Sequence, residues 1–77
     1  MGALDRIVMD PLVMGGKAGV RGTRVTVSTV VGLFASGHDF AEVLNLYPYL
    51  TSEDIKQSLT YAAWRSDEQE MMLTIPA

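Results

Sequence analysis

The chain has no cysteine, so disulfide staples and thiolate metal sites are both excluded. It has one histidine, His38, which has no companion with which to share a metal. Because it follows Gly37 at the end of a helical pattern, it is expected as a surface or capping residue, not as a catalyst. No Ser/His/Asp set occurs at a meaningful spacing, and the glycines do not follow the Gly-x-x-x-x-Gly-Lys-Ser/Thr order of a phosphate loop. The acids Asp67, Glu68 and Glu70 crowd one expected helix end, which is the pattern of a solvated face and not of paired acid/base groups. No catalytic residue, metal site or cofactor is therefore expected. Long apolar runs are also lacking: nothing approaches the ~20 residues of a membrane span, and no apolar leader is visible. A cytoplasmic protein that does not engage a membrane is expected.

Cations are in short supply. Six Lys and Arg stand against nine Asp and Glu, for a net charge of −3 over 77 residues. The imbalance is uneven. Arg6, Lys17, Arg21 and Arg24 leave the first half positive against Asp5 and Asp10, whereas only Lys56 and Arg65 oppose the acids after Gly37. An acidic total argues weakly against nucleic-acid binding, but a dimer could still present its cations on one face. A chain of this length makes one small domain with a limited core, and oligomerisation or a bound partner is the remaining way to stabilise it.

What the chain does have is a glycine-rich, basic stretch from Gly15 to Val27, with Gly15, Gly16, Gly19 and Gly22 interleaved with Lys17, Arg21 and Arg24. Such a run is expected to bend tightly. Before it, Arg6-Ile7-Val8-Met9 reads as a short strand stopped by Asp10-Pro11. Val20-Arg21 is a candidate second strand. A two-stranded ribbon is marginal alone, so it should lean on helices or pair with a second subunit.

After the turn the period changes. Val27, Val30, Val31, Phe34 and Ala35 form one helical stripe, which predicts a first helix over about 27–36 with Gly37 at its C′ position. The β-branched run 25–31 argues for a strand instead, but its alternation breaks at Val30-Val31. A second helix begins at Asp39, with Glu42 completing a capping-box pair, and carries Phe40, Val43, Leu44 and Tyr47 on its apolar face before Pro48 stops it. The third begins at Thr51 with Asp54 at N3 and runs to about Gln69. Ile55, Leu59, Ala62 and Ala63 are its expected inner face, and Glu53, Gln57, Thr60 and Trp64 the stripe opposite. The fold class is thus mainly α: a β-ribbon and glycine turn (1–25), a three-helix core with a helix-turn-helix (26–66) and a short tail or strand (67–77).

The order Arg6-Ile7-Val8-Met9-Asp10-Pro11, Gly16-Lys17, Gly22-Thr23-Arg24-Val25, Gly37, Tyr47-Pro48-Tyr49-Leu50-Thr51 and Asp54 resembles a family of small bacterial domains first catalogued as a domain of unknown function. Several members are treated as VapB-like antitoxins of PIN-like ribonuclease toxins. The resemblance covers roughly Arg6 to Tyr61. This chain departs from the family at Ala18, where proline usually follows Gly-Lys, and at Thr26, where many members carry proline. The resemblance implies an antitoxin that binds a PIN-like toxin, commonly as a dimer that also represses its own operon.

Three residue sets follow. Ser52, Lys56, Gln57 and Thr60 on the third helix are the candidates for operator DNA, against the plainer reading of a solvated face; Glu53 and Asp54 beside them would repel phosphates. Gly16, Lys17, Arg21, Gly22, Thr23 and Arg24 are candidates for a structural turn or a phosphate contact, with the Arg24 guanidinium expected to tie the turn to helix C-terminal carbonyls or to Asp10. Tyr61, Trp64, Met71, Met72, Leu73 and Ile75 are candidates for a partner interface, against the alternative that the tail folds back on the core. A stand-alone DNA-binding regulator and a structural dimerisation module are the alternatives to an antitoxin.

Overall fold

The computed structural model describes residues 4–9 and 17–70, the side chains of 68–70 excepted. In chain order it contains β1 (Ile7–Met9), β2 (Ala18–Val20), α1 (Val27–Ala35), α2 (Phe40–Leu46) and α3 (Ser52–Glu70). The strands form a two-stranded antiparallel sheet in which Ile7 faces Val20, Val8 faces Gly19 and Met9 faces Ala18. The second strand is therefore displaced from the expected Val20-Arg21. Ala18–Val20 of the glycine-rich stretch is extended rather than bent, with Gly19 inside the strand and Arg21 opening the turn. The ribbon leans on α3 and α1 within one chain.

Each helix starts on a side-chain cap. Thr26 Oγ1 accepts from the Thr29 N–H at 3.2 Å and so caps the head of α1. Asp39 and Glu42 close a reciprocal capping box on α2, both bonds at 2.8 Å. At α3, Thr51 Oγ1 accepts from the Asp54 N–H at 3.1 Å while Asp54 Oδ2 accepts from the Thr51 N–H at 2.9 Å. Gly37 follows α1 with φ +101°, the left-handed geometry expected of a C′ residue. His38 lies beside it, its N–H donating to the Leu33 carbonyl and its Nδ1 3.1 Å from the same oxygen. This is the capping role its position suggested.

The core draws on β2 and all three helices. Val20 of β2, Val25 of the following loop, Val30 of α1, Val43 of α2, Leu50 of the α2–α3 turn and Ile55 of α3 form one buried cluster. Leu33, Phe34, Leu44, Tyr47 and Leu59 pack around it half-buried. The periodicity of α1 thus prevails over its β-branched propensity, because Val27 and Val30 have a core to enter. Among the described residues no helix is long and apolar enough to cross a membrane.

Val30 is fully buried, so Val30→Ala should lower the unfolding free energy by about 2 kcal/mol. Asp39→Ala, which removes only a cap, should lower it by about 1 kcal/mol. Urea denaturation monitored by circular dichroism checks both, and the order of the two losses is the discriminating result.

Candidate interaction surface

The polar side chains that the fold positions most firmly join β1 to the first turns of α3. Arg6 Nε donates to Asp54 Oδ1 at 2.5 Å, with Asp54 1% and Arg6 35% exposed. The Arg6 backbone N–H donates to Gln57 Oε1 at 2.8 Å, and Gln57 Nε2 donates to Asp5 Oδ1 at 2.9 Å and to Glu53 Oε2 at 3.0 Å. Arg6 Nη2 reaches the Arg21 carbonyl at 3.1 Å, while the Arg21 N–H donates to the Arg6 carbonyl at 2.7 Å. Arg21 Nε closes the circuit on the Asp5 carbonyl at 2.7 Å. Among the described residues no buried side-chain nitrogen or oxygen lacks a partner.

This network revises three expectations. Gln57 was expected on the outward stripe as a base reader, but it is 6% exposed and its amide is fully engaged inside. Asp54, expected only as a helix-start acid, is also the buried partner of Arg6. Arg24 was expected to tie the turn to helix C-terminal carbonyls or to Asp10; it is exposed and holds no hydrogen bond or ion pair among the described residues, and Asp10 lies outside them. Arg6, Arg21 and Thr23 do that work instead. The inner face of α3 is likewise Asp54, Ile55, Gln57 and Ser58, with Leu59 and Ala62 half-buried and Ala63 exposed.

The turn itself is closed from within. The Val20 N–H donates to the Val25 carbonyl at 2.9 Å, Thr23 Oγ1 donates to the Val20 carbonyl at 2.9 Å, and the Val25 N–H donates to Thr23 Oγ1 at 3.0 Å. Gly22 sits in it at φ +78°, where a side chain would strain the backbone. Val20 and Val25 are thereby buried while Arg21 and Arg24 project outward. Arg6, Arg21, Gly22, Thr23, Arg24 and Tyr49 line one open groove.

A second open groove runs between the ribbon, α1 and the later turns of α3, lined among others by Met9, Lys17, Val27, Val31, Tyr61 and Ala62. Tyr61 Oη lies 3.6 Å from Met9 Sδ, and its ring stands 5.8 Å from that of Trp64, which is 40% exposed. Of the proposed DNA contacts, Ser52, Lys56 and Thr60 are exposed, with Thr60 Oγ1 donating to the Lys56 carbonyl at 2.9 Å. Gly16 and the tail candidates Met71, Met72, Leu73 and Ile75 lie outside the described residues. Among the described residues no group of three or more His, Cys, Asp and Glu could hold a metal ion.

Residues 7–62 match the family described as "Protein of unknown function (DUF433)". The chain is 37% identical over 60 residues to the uncharacterized protein y4eO of Sinorhizobium fredii (strain NBRC 101917 / NGR234), a match covering 78% of this chain and 27% of that protein. It also resembles the crystal structure of a DUF433 member protein from Anabaena variabilis ATCC 29413, with a TM-score of 0.77 and 33% identity over 86% of this chain and 65% of that one. The chain thus spans about a quarter of the length of the curated relative it matches.

Burial opposes the charge on Asp54, but the hydrogen bond from Arg6, the Thr51 backbone N–H and the Arg6 charge outweigh it, holding the carboxyl below its ordinary value of 3.8. A carboxyl depressed in the folded state stabilises the fold above its unfolded value, and that stabilisation is lost as the pH falls through the lower folded value. Acid unfolding below about pH 4 should therefore be steep in the native protein and shallower in Asp54→Asn, which starts less stable at neutral pH. Equal slopes in thermal melts across that range would contradict the assignment.

Proposed function

The chain belongs to the DUF433 family, and from its family resemblance and the surface just described we propose that it is the antitoxin of a bacterial toxin–antitoxin pair, binding and inhibiting a PIN-like ribonuclease and recognising its own operator as a dimer. The observation that carries the protein-binding half is the Tyr61–Trp64 pair beside the groove of Met9, Val27, Val31 and Ala62. An exposed tryptophan backed by a tyrosine and bordered by apolar side chains is the composition of an interface anchor. Lys17 lines the same groove and supplies a cation suited to the acidic metal site of such a nuclease. Inhibition in this reading is occlusion, and the chain contributes no chemistry.

The operator half rests on the line Ser52, Lys56 and Thr60, four residues apart on α3 and exposed beside the short α2–α3 turn. Gln57 is withdrawn from that set, because its replacement would open the network under β1. The same exposed line supports a second reading, a regulator without a toxin, which the toxin assay separates from the first.

Trp64→Ala should release ribonuclease activity of the co-expressed PIN-like neighbour and abolish its co-purification, with circular dichroism and melting temperature preserved. Full inhibition by the variant would exclude this face. Ser52→Ala combined with Lys56→Ala should weaken gel shifts of the upstream DNA, and unchanged shifts would remove α3 as the reading element.

A further inference from the structure

We infer that the Arg21–Arg24 turn, together with Tyr49, is a preorganised clamp for the phosphates of duplex DNA, flanking the α3 line; the inference rests on the operator-binding reading above. The groove contains three arginines with different duties. Arg6 is paired with Asp54, so its charge is answered inside the protein. Arg21 donates from Nε to the Asp5 carbonyl, which fixes its direction. Arg24 is exposed and has no hydrogen-bond or ion-pair partner among the described residues, although its neighbour Val25 is buried and its loop is closed by four hydrogen bonds. A cation held on a rigid loop without a partner among the described residues is poised for an external anion, because little backbone freedom remains to be lost on contact.

Between the two exposed arginines the backbone is bare. A Cβ placed on Gly22 would meet nothing within 4 Å, so a phosphate has room to approach the main chain there. Across the groove stands Tyr49, 61% exposed, its position fixed by the buried Leu50 beside it and by its edge-on contact with Tyr47 at 6.0 Å. A tyrosine hydroxyl and guanidinium groups are the usual donors to phosphate oxygens. Tyr49 also lies three residues before Ser52, so the groove adjoins the end of α3 that would face base edges. That adjacency favours duplex backbone over single strands, which are gripped by successive stacking aromatics, of which this groove has one.

The test uses the full chain with two duplexes of equal length, one from the region upstream of its own gene and one unrelated, with affinity measured by fluorescence anisotropy over a series of salt concentrations. Arg24→Ala should weaken binding to both duplexes alike by about tenfold, the size of one charge-assisted contact. It should also lower the salt dependence by about one counterion, whereas Arg24→Lys should retain that dependence. Arg24→Glu should weaken binding further, with the melting temperature unchanged in all three. If the native protein binds its operator but Arg24→Ala and Arg24→Glu leave affinity and salt slope unaltered, the clamp is wrong and operator binding stands. If the native protein binds neither duplex, the operator reading falls and the clamp with it.

Discussion

A single charged contact, Arg6 to Asp54, decides how the two halves of the molecule meet. It joins the residue before a three-residue strand to the first turn of a helix 48 positions later. Around it the remaining polar atoms are placed by necessity. Asp54 gives its second oxygen to the Thr51 N–H, and Gln57 takes the Arg6 N–H and donates twice. A buried carboxylate is costly unless it is paired and hydrogen-bonded, and here it is both. The ribbon, too short to stand by itself, is fastened at its base to a helix, and Val20 follows it into the core.

The arrangement separates structural cations from available ones. Arg6 and Arg21 hold backbone carbonyls and a carboxylate, whereas Arg24, three residues after Arg21 in the same turn, holds none among the described residues. In the proposed reading α3 serves two partners, its early turns beside the basic groove and its later turns, with Tyr61 and Trp64, beside the apolar one. The loop hydrogen bonds through Thr23 make the basic groove stiff, so its geometry is set before any partner arrives.

Local signals made most of the fold legible. Asp39 with Glu42, Thr51 with Asp54, Gly37 and Pro48 announce helix ends by chemistry confined to a few residues, and those ends fall where that chemistry places them. The stripe of α1 was readable because Val30-Val31 breaks strand alternation. The long-range tie was not readable, because nothing near Arg6 or Asp54 in sequence names the other. Gln57 illustrates the cost: amphipathic reasoning sends an amide outward, yet the ribbon covers that face with a main-chain N–H and the Asp5 carboxylate, which call for a polar partner. The recurrence of Asp54, Ser58 and Tyr61 at three- and four-residue spacing, on the side of α3 next to Ile55, was the available hint, and their polarity concealed it. Arg24 stands exposed while the glycine turn closes on Thr23, and Asp10, the other partner expected for it, lies outside the described residues.

α3 is 19 residues and about 28 Å long, and its two ends are unlike. The first turns are capped, acid-bearing and bolted to β1, while the last turn has no basic residue and the sequence there supplies Asp67, Glu68 and Glu70. Negative charge at a helix C-terminus opposes the peptide dipole by about 0.3–1 kcal/mol per group. The helix is therefore held at its head, where Asp54, Ile55 and Ser58 enter the interior, and carries an unfavourable charge towards its far end. Cations brought alongside that end by another protein would cancel this opposition, which makes thermal stability itself a gauge of whether the seat is taken.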